Sequence, residues 1–365
     1  MKKAIFSPGP SFSDPNVRAY AGWVRILDLY KEGLEECGYD VFVPYVDPRL
    51  IDQSSTVSKI ESYDLGASMW LRGQEEDPEM FFRFGEGDIF LGPPGYSLSQ
   101  MMSLSRKVKK FLYVFNCADW WRDQQLAEEY KKFNAFYDLS PCWRWINTTA
   151  LQVCNHIIAC SPWVANTHRQ VAGIPHDKVS IAFWGVDSEK FHPPDVEPEG
   201  FRALFVGGDP IRKGLHYLIK ALEGMGDYEL WIVGCRIGDD TELPSNWKQF
   251  GMVPHDDMLG IYQQCHVICI PTLEDGIALA IQEGMACGLV PITSPETSEV
   301  FEDGEQGYRV GYRDVEAIRE RIVILRDNSS RRRKLSREAR KLAVSQTWEK
   351  TKEEFKEIVR KVEGG

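Results

Sequence analysis

Short apolar runs recur along the chain, separated by longer stretches in which apolar residues return every three or four positions. The runs fall at 3–6 (KAIF), 40–45 (DVFVPY), 111–115 (FLYVF), 156–160 (HIIAC) and 179–183 (VSIAF). Four more follow at 203–207 (ALFVG), 229–233 (ELWIV), 266–270 (HVICI) and 289–293 (LVPIT). Several are apolar on both faces, as parallel strands are when helices cover each side of the sheet. The intervening periodic stretches predict helices over 22–37, 143–154, 214–223, 278–287 and 314–326. Alternating strand and helix gives a doubly wound α/β architecture.

Residues 187–202 (DSEKFHPPDVEPEGFR) are rich in proline and acids and carry no period, which marks a linker. The expected organisation is an N-terminal domain over 1–190 and a second domain over 191–345. An amphipathic helix over 346–365 would then pack back on the first domain. Two such domains would face a central cleft, with ligands at the C-terminal ends of the strands.

Bulk properties narrow the class. The 365 residues carry a net charge of -11, which argues against a nucleic-acid binder, since that role needs a dominant basic footprint. Nine cysteines without a CxxC pair, several inside apolar runs, suit a reducing cytoplasm rather than a disulfide framework. The N-terminal apolar stretch is too short for a signal peptide, and no run approaches the roughly 20 apolar residues of a membrane span. Arg331, Arg332, Arg333, Lys334, Arg337, Arg340 and Lys341 form a basic cluster, read either as a solvated helix face or as a peripheral dock on anionic lipid.

The candidate chemistry centres on 274–288 (EDGIALAIQEGMACG), where Asp275 and Glu283 stand eight positions apart among small and apolar residues. A buried strand ends in a polar turn, and a helix opening near Ile277 or Ala278 would aim unbonded N–H groups at an anion. Gly276 lets a ligand approach the main chain. Glu283 lies inside the helix, where its carboxylate needs donors such as a pair of sugar hydroxyls. Taken alone, Asp275 also reads as a helix cap and Glu283 as a salt-bridged structural acid. A second segment, 203–222, places Arg212 and Lys213 in a glycine-containing loop after a strand. It fits neither GxGxxG nor a Walker loop. A third, 229–276, adds a glycine-ended strand and the turn FGMVP.

In this order the three pieces resemble the C-terminal domain of family-four retaining glycosyltransferases, over about 203–348. The resemblance implies two Rossmann-like domains facing a cleft, the B-type glycosyltransferase fold. It also implies transfer of a hexose-type sugar from a nucleoside-diphosphate-sugar to an acceptor hydroxyl, with retention and without an obligatory metal. The acceptor would be a sugar, a lipid-linked molecule or another small molecule. No D-x-D triplet, the usual metal clamp of the other large glycosyltransferase fold, occurs in the chain.

Carried over by position, Lys213, with Arg212 helping, would bind the diphosphate. Gly276, Ile277, Ala278 and Leu279 would offer it backbone amides. Glu283 would hold the ribose, and Gly251, Met252 and Val253 would meet the base through main-chain groups. Asp275 would lie near the sugar and its leaving oxygen. Gly22, opening the first helix, would let the first domain approach the phosphates.

Three departures qualify the pattern. Asp275 stands where the family has glutamate, although Glu274 precedes it. Gly208 stands where an arginine is common. Asn116 or Asp119, in FNCADWW, occupies the neighbourhood of a usual His-Asp pair. These departures keep open a non-catalytic nucleotide-sugar-binding or regulatory protein, and a phosphorylase or epimerase on the same scaffold. Trp120, Trp121, Trp143 and Trp145 suggest a stacking platform for an acceptor, and Pro8-Gly9-Pro10 a further acceptor-side loop; residues 45–110 match no known pattern.

Overall fold

The computed structural model describes residues 2–7, 23–43, 84–137, 141–237 and 244–364. In chain order the first elements are β1 (Lys2–Phe6), α1 (Trp23–Glu36), β2 (Tyr39–Phe42), β3 (Ile89–Gly92), α2 (Pro94–Ser103) and β4 (Lys109–Val114). They continue with α3 (Asp119–Lys132), α4 (Pro141–Val153), β5 (His156–Ala159), α5 (Pro162–Arg169) and β6 (Val179–Ile181). Next come β7 (Arg202–Val206), α6 (Leu215–Leu222), β8 (Glu229–Val233), β9 (Trp247–Gly251) and α7 (Met258–Tyr262). β10 (Val267–Ile270), α8 (Leu279–Ala286), β11 (Val290–Thr293) and β12 (Tyr308–Arg309) follow. The last helices are α9 (Val315–Asp327), α10 (Ser329–Ser345) and α11 (Trp348–Glu363).

The strands form two parallel sheets, ordered β2-β1-β3-β4-β5-β6 and β12-β11-β10-β7-β8-β9. Every residue of β5, β10 and β11 is buried, so helices cover both faces, as the unbroken apolar runs required. β3, β9 and β12 were not among the predicted runs. β9 is half-exposed at the sheet edge and reads as polar, and β12 has only two residues.

The chain divides into two compact units. Unit 1 holds Met1–Asp119, Asp138–Phe183 and Thr351–Gly365; unit 2 holds Trp120–Tyr137 and Trp184–Lys350. In unit 1, α11 lies along α1 with Phe355 stacked on Tyr30, ring centroids 4.5 Å apart. Gly33 makes this approach possible, because a Cβ there would sit 2.9 Å from the Phe355 ring. Burying Phe355 completely contributes on the order of 2–3 kcal/mol. Lys352 and Lys356 flank the seam and pair with Glu36.

In unit 2, the segment from Trp120 to Tyr137 is tied down by Glu129, which is 1% exposed. Its carboxylate accepts from Tyr217 at 2.6 Å and from Arg313, Lys132 and His216 at 3.0 Å each. Burial pulls the Glu129 pKa up, but these donors more than offset it and hold it at about 2.

The basic cluster on α10 is only partly a solvated face. Arg340 donates to the carbonyls of Phe191, Ala286 and Ser188, and the buried Arg332 donates to that of Leu325. Arg331 reaches the carbonyl of Gly304, leaving Arg333, Lys334, Arg337 and Lys341 exposed. Among the described residues, no helix is long and apolar enough to cross a membrane.

The second sheet has a topological switch point. From β7 the chain runs outward through β8 and β9, then returns to place β10 on the opposite side of β7. The carboxyl ends of β7 and β10 flank that switch point, the place where ligands usually sit in such sheets.

Candidate functional site

The loop leaving β7 turns back on itself before α6. Lys213 donates its N–H to Asp209 O, and Arg212 donates its own to the Asp209 side chain at 3.0 Å. Gly214 closes the loop at φ +70, and a Cβ there would come within 2.1 Å of Pro271 O. Only glycine combines that backbone angle with that contact. The two loops of the switch point are thereby stitched together: Leu273 N–H donates to Arg212 O at 2.8 Å, and the Thr272 hydroxyl donates to Arg212 O at 3.1 Å.

This stitching brings Lys213 and Asp275 into a direct charge-assisted hydrogen bond. Arg212 supports it, with Nη1 donating to Glu274 O at 3.1 Å and lying 3.7 Å from Asp275 Oδ1. Burial pulls the Lys213 ammonium below its ordinary value, and Asp275 partly restores it. The Asp275 carboxyl is raised by burial, but Lys213 and Arg212 more than compensate and leave it below the usual range. The pair is ionised. Glu274, fully buried, lies 3.6 Å from both Arg212 and Arg122.

The helix after β10 starts later than the sequence suggested, at Leu279, with Ala278 as a cap that offers no side-chain bond. Asp275 does not cap it. Instead its Oδ1 accepts the Gly276 N–H at 3.0 Å, so that amide is already engaged. Ile277 and Ala278 are buried, and Ile281 makes the first helical bond, to Ala278 O at 2.8 Å. The amides of Leu279 and Ala280 precede that bond, at the positive end of the helix.

Glu283 lies one turn into α8, buried, with both oxygens met by protein groups. His255 Nε2 is 2.8 Å from Oε1, and the Tyr262 hydroxyl donates to Oε2 at 2.7 Å. The remaining predicted positions gather at the carboxyl ends of β7, β8 and β9. Gly208 faces Gly234 O, Gly234 N–H donates to Gly251 O at 2.7 Å, Met252 is exposed and Val253 half-buried.

Asn116 and Asp119 belong to unit 1 and are half-buried; Asp119 Oδ2 accepts from Asn147 Nδ2 at 2.8 Å. Of the four tryptophans, Trp143 and Trp145 belong to unit 1, Trp120 and Trp121 to unit 2. Gly22, Pro8-Gly9-Pro10 and residues 44–83 lie outside the described residues.

Sequence reasoning did not single out His255, Tyr262, Glu129 or Glu296. His255 lies in the 3-10 turn before α7 and Tyr262 at the end of that helix, so no single period links them.

Residues 187–342 match the family described as "Glycosyl transferases group 1". The chain is 29% identical to the O-antigen chain mannosyltransferase B of Escherichia coli over 144 residues, covering 35% of this chain and 38% of that protein. It spans less than half the length of the curated relatives it matches. Sucrose-phosphate synthase from Thermosynechococcus elongatus superposes with a TM-score of 0.78 at 15% identity, covering 99% of each chain. Anabaena Alr3699/HepE in complex with UDP-glucose superposes with a TM-score of 0.66 at 12% identity, covering 99% of this chain and 100% of that one. The family match is confined to residues 187–342, and the chain has the B-type glycosyltransferase fold.

Proposed function

We propose that this protein transfers a sugar from a nucleoside-diphosphate-sugar to an acceptor hydroxyl with retention of configuration. The observation that carries the reading is the convergence of half-buried Lys213 and Arg212 on the turn at Glu274–Gly276, at the switch point of a parallel sheet. Asp275 holds the Lys213 cation. A diphosphate entering at this switch point takes over Lys213 and Arg212, together with the amides at the start of α8, and releases Asp275 towards the sugar.

As the sugar–phosphate C–O bond breaks, negative charge grows on the leaving phosphate, where these groups are already placed to receive it. Removing one pre-placed donor of this kind typically costs about 3 kcal/mol of barrier. The acceptor oxygen attacks from the same face and gives its proton to the departing phosphate. Lys213 and Arg212 supply the charge that a divalent cation supplies elsewhere, so no obligatory metal is expected. Glu283 holds the ribose, and the β9 turn at Gly251–Val253 takes the base. Asp119 and Asn116 serve the acceptor side, and Gly22 serves the phosphates.

Because the Anabaena relative in fold was obtained with UDP-glucose, UDP-sugars head the screen. Thermal shift against UDP-, GDP-, ADP- and dTDP-sugars should pick out one nucleotide, and release of its diphosphate should require an added acceptor. Binding with no release across a broad acceptor panel would favour a binding protein. Competition by inorganic phosphate would favour a phosphorylase.

A further inference from the structure

After β11 the chain turns through Ser294, Pro295, Glu296 and Thr297. The turn is fastened by Thr293 and Thr297, whose hydroxyls bond to each other, and by Thr293 donating to Ile270 O at 2.7 Å. It sits at the carboxyl end of β11, next in the sheet to β10, whose carboxyl end supplies Glu274 and Asp275. Glu296 is 1% exposed. Trp121 Nε1 donates to its Oε1 at 3.4 Å and the Tyr312 hydroxyl stands near the carboxyl, but Oε2 has no hydrogen bond of good geometry. The Ser294 hydroxyl, fully buried on the same turn, is also without a partner. Two orphaned buried polar groups on one turn are costly to keep, and they call for a ligand.

We propose that Glu296, with Ser294, is a subsite that takes a hydroxyl of the neutral sugar carried by the nucleoside diphosphate, and so helps select that sugar. The inference rests on the donor reading above. Burial, with the charge of Glu274 nearby, pushes the Glu296 pKa to about 8 against the pull of Tyr312 and Trp121. At neutral pH the group is therefore a carboxylic acid that both donates and accepts. Such a group suits neither a cation, which needs a carboxylate, nor an anion, which the neighbouring Glu274 repels. A sugar hydroxyl, itself donor and acceptor, fits both halves.

Calorimetry with the nucleoside diphosphate that the wild type prefers, and with its glucose, mannose and N-acetylglucosamine conjugates, tests the idea. For the sugar that binds best, Glu296→Ala should weaken the conjugate about tenfold while changing the bare diphosphate less than about twofold. Glu296→Gln, which keeps a neutral donor and acceptor, should stay within about threefold of wild type for that sugar. Equal losses for the conjugate and the bare diphosphate, or no loss for the conjugate, would overturn the subsite alone. If the wild type binds no nucleoside diphosphate, the donor reading falls and takes this inference with it. Thermal melting of both variants separates any loss of binding from loss of fold.

Discussion

Tyr262 donates its hydroxyl to Oε2 of Glu283 at 2.7 Å, across 21 residues of sequence and inside a buried site. Together with His255 on the other oxygen, it fixes the plane of a carboxylate whose remaining lone pairs are what a ribose can use. Tyr262→Phe should therefore weaken nucleoside diphosphate binding about tenfold, close to 1.4 kcal/mol, by freeing that plane. Calorimetry reads the affinity, and an unchanged value would show that the orientation of Glu283 does not matter for the ligand.

The Lys213–Asp275 pair leads to a second expectation. Lys213→Met removes the group proposed to receive phosphate charge and leaves Asp275 with Arg212 alone, so transfer should fall roughly a hundredfold. Stability should drop by about 3 kcal/mol, because a buried carboxylate has lost its principal partner. Adding Asp275→Asn should restore much of the stability but not the transfer. Denaturant melts alongside a product assay separate the two effects, and recovery of transfer in the double variant would contradict the assignment.

Glu129 ties residues 120–137 to the rest of unit 2, and its pKa of about 2 lies below the ordinary 4.5. A depressed carboxyl contributes stability that is complete above the unfolded value and lost as pH falls from about 4.5 towards 2. Glu129→Gln should cost roughly 2–3 kcal/mol at pH 7, and the gap from wild type should close on acidification. Chemical melts at pH 7 and pH 3 test this; a gap that is the same at both would rule out the ionic account.

Glu296 runs the opposite way. With its pKa raised from 4.5 to about 8, it imposes no ionisation penalty below the unfolded value. Stability is then lost as pH rises through the window from about 4.5 to 8, by a few kcal/mol in all. Glu296→Gln should match wild type at pH 4.5 and be the more stable protein at pH 8. Calorimetric melting at both values decides it, and equal stability at pH 8 would show that the acid ionises freely.

The sequence displayed the apolar strands because burial on both faces leaves an unbroken run, as in β10 and β11. β9 could not be read that way, since an edge strand that carries Lys248 and Gln249 has no such run. The site was legible where chemistry is local: Arg212, Lys213, Asp275 and Glu283 each stand in a short strand–turn–helix passage. The groups that govern them come from afar. Tyr262 reaches Glu283, Arg122 reaches Glu274, and Trp121 reaches Glu296 across 175 residues, pairings that no local period announces.

The seam between Tyr30 and Phe355 also bears on the order of assembly. Synthesis runs from the N-terminus, so every residue of unit 2 is made before Phe355, which roofs Tyr30 and Gly33. Unit 2 can close while unit 1 still waits, with an aromatic face uncovered, for residues numbered above 350. A nascent chain stalled there would expose a surface that the finished protein hides.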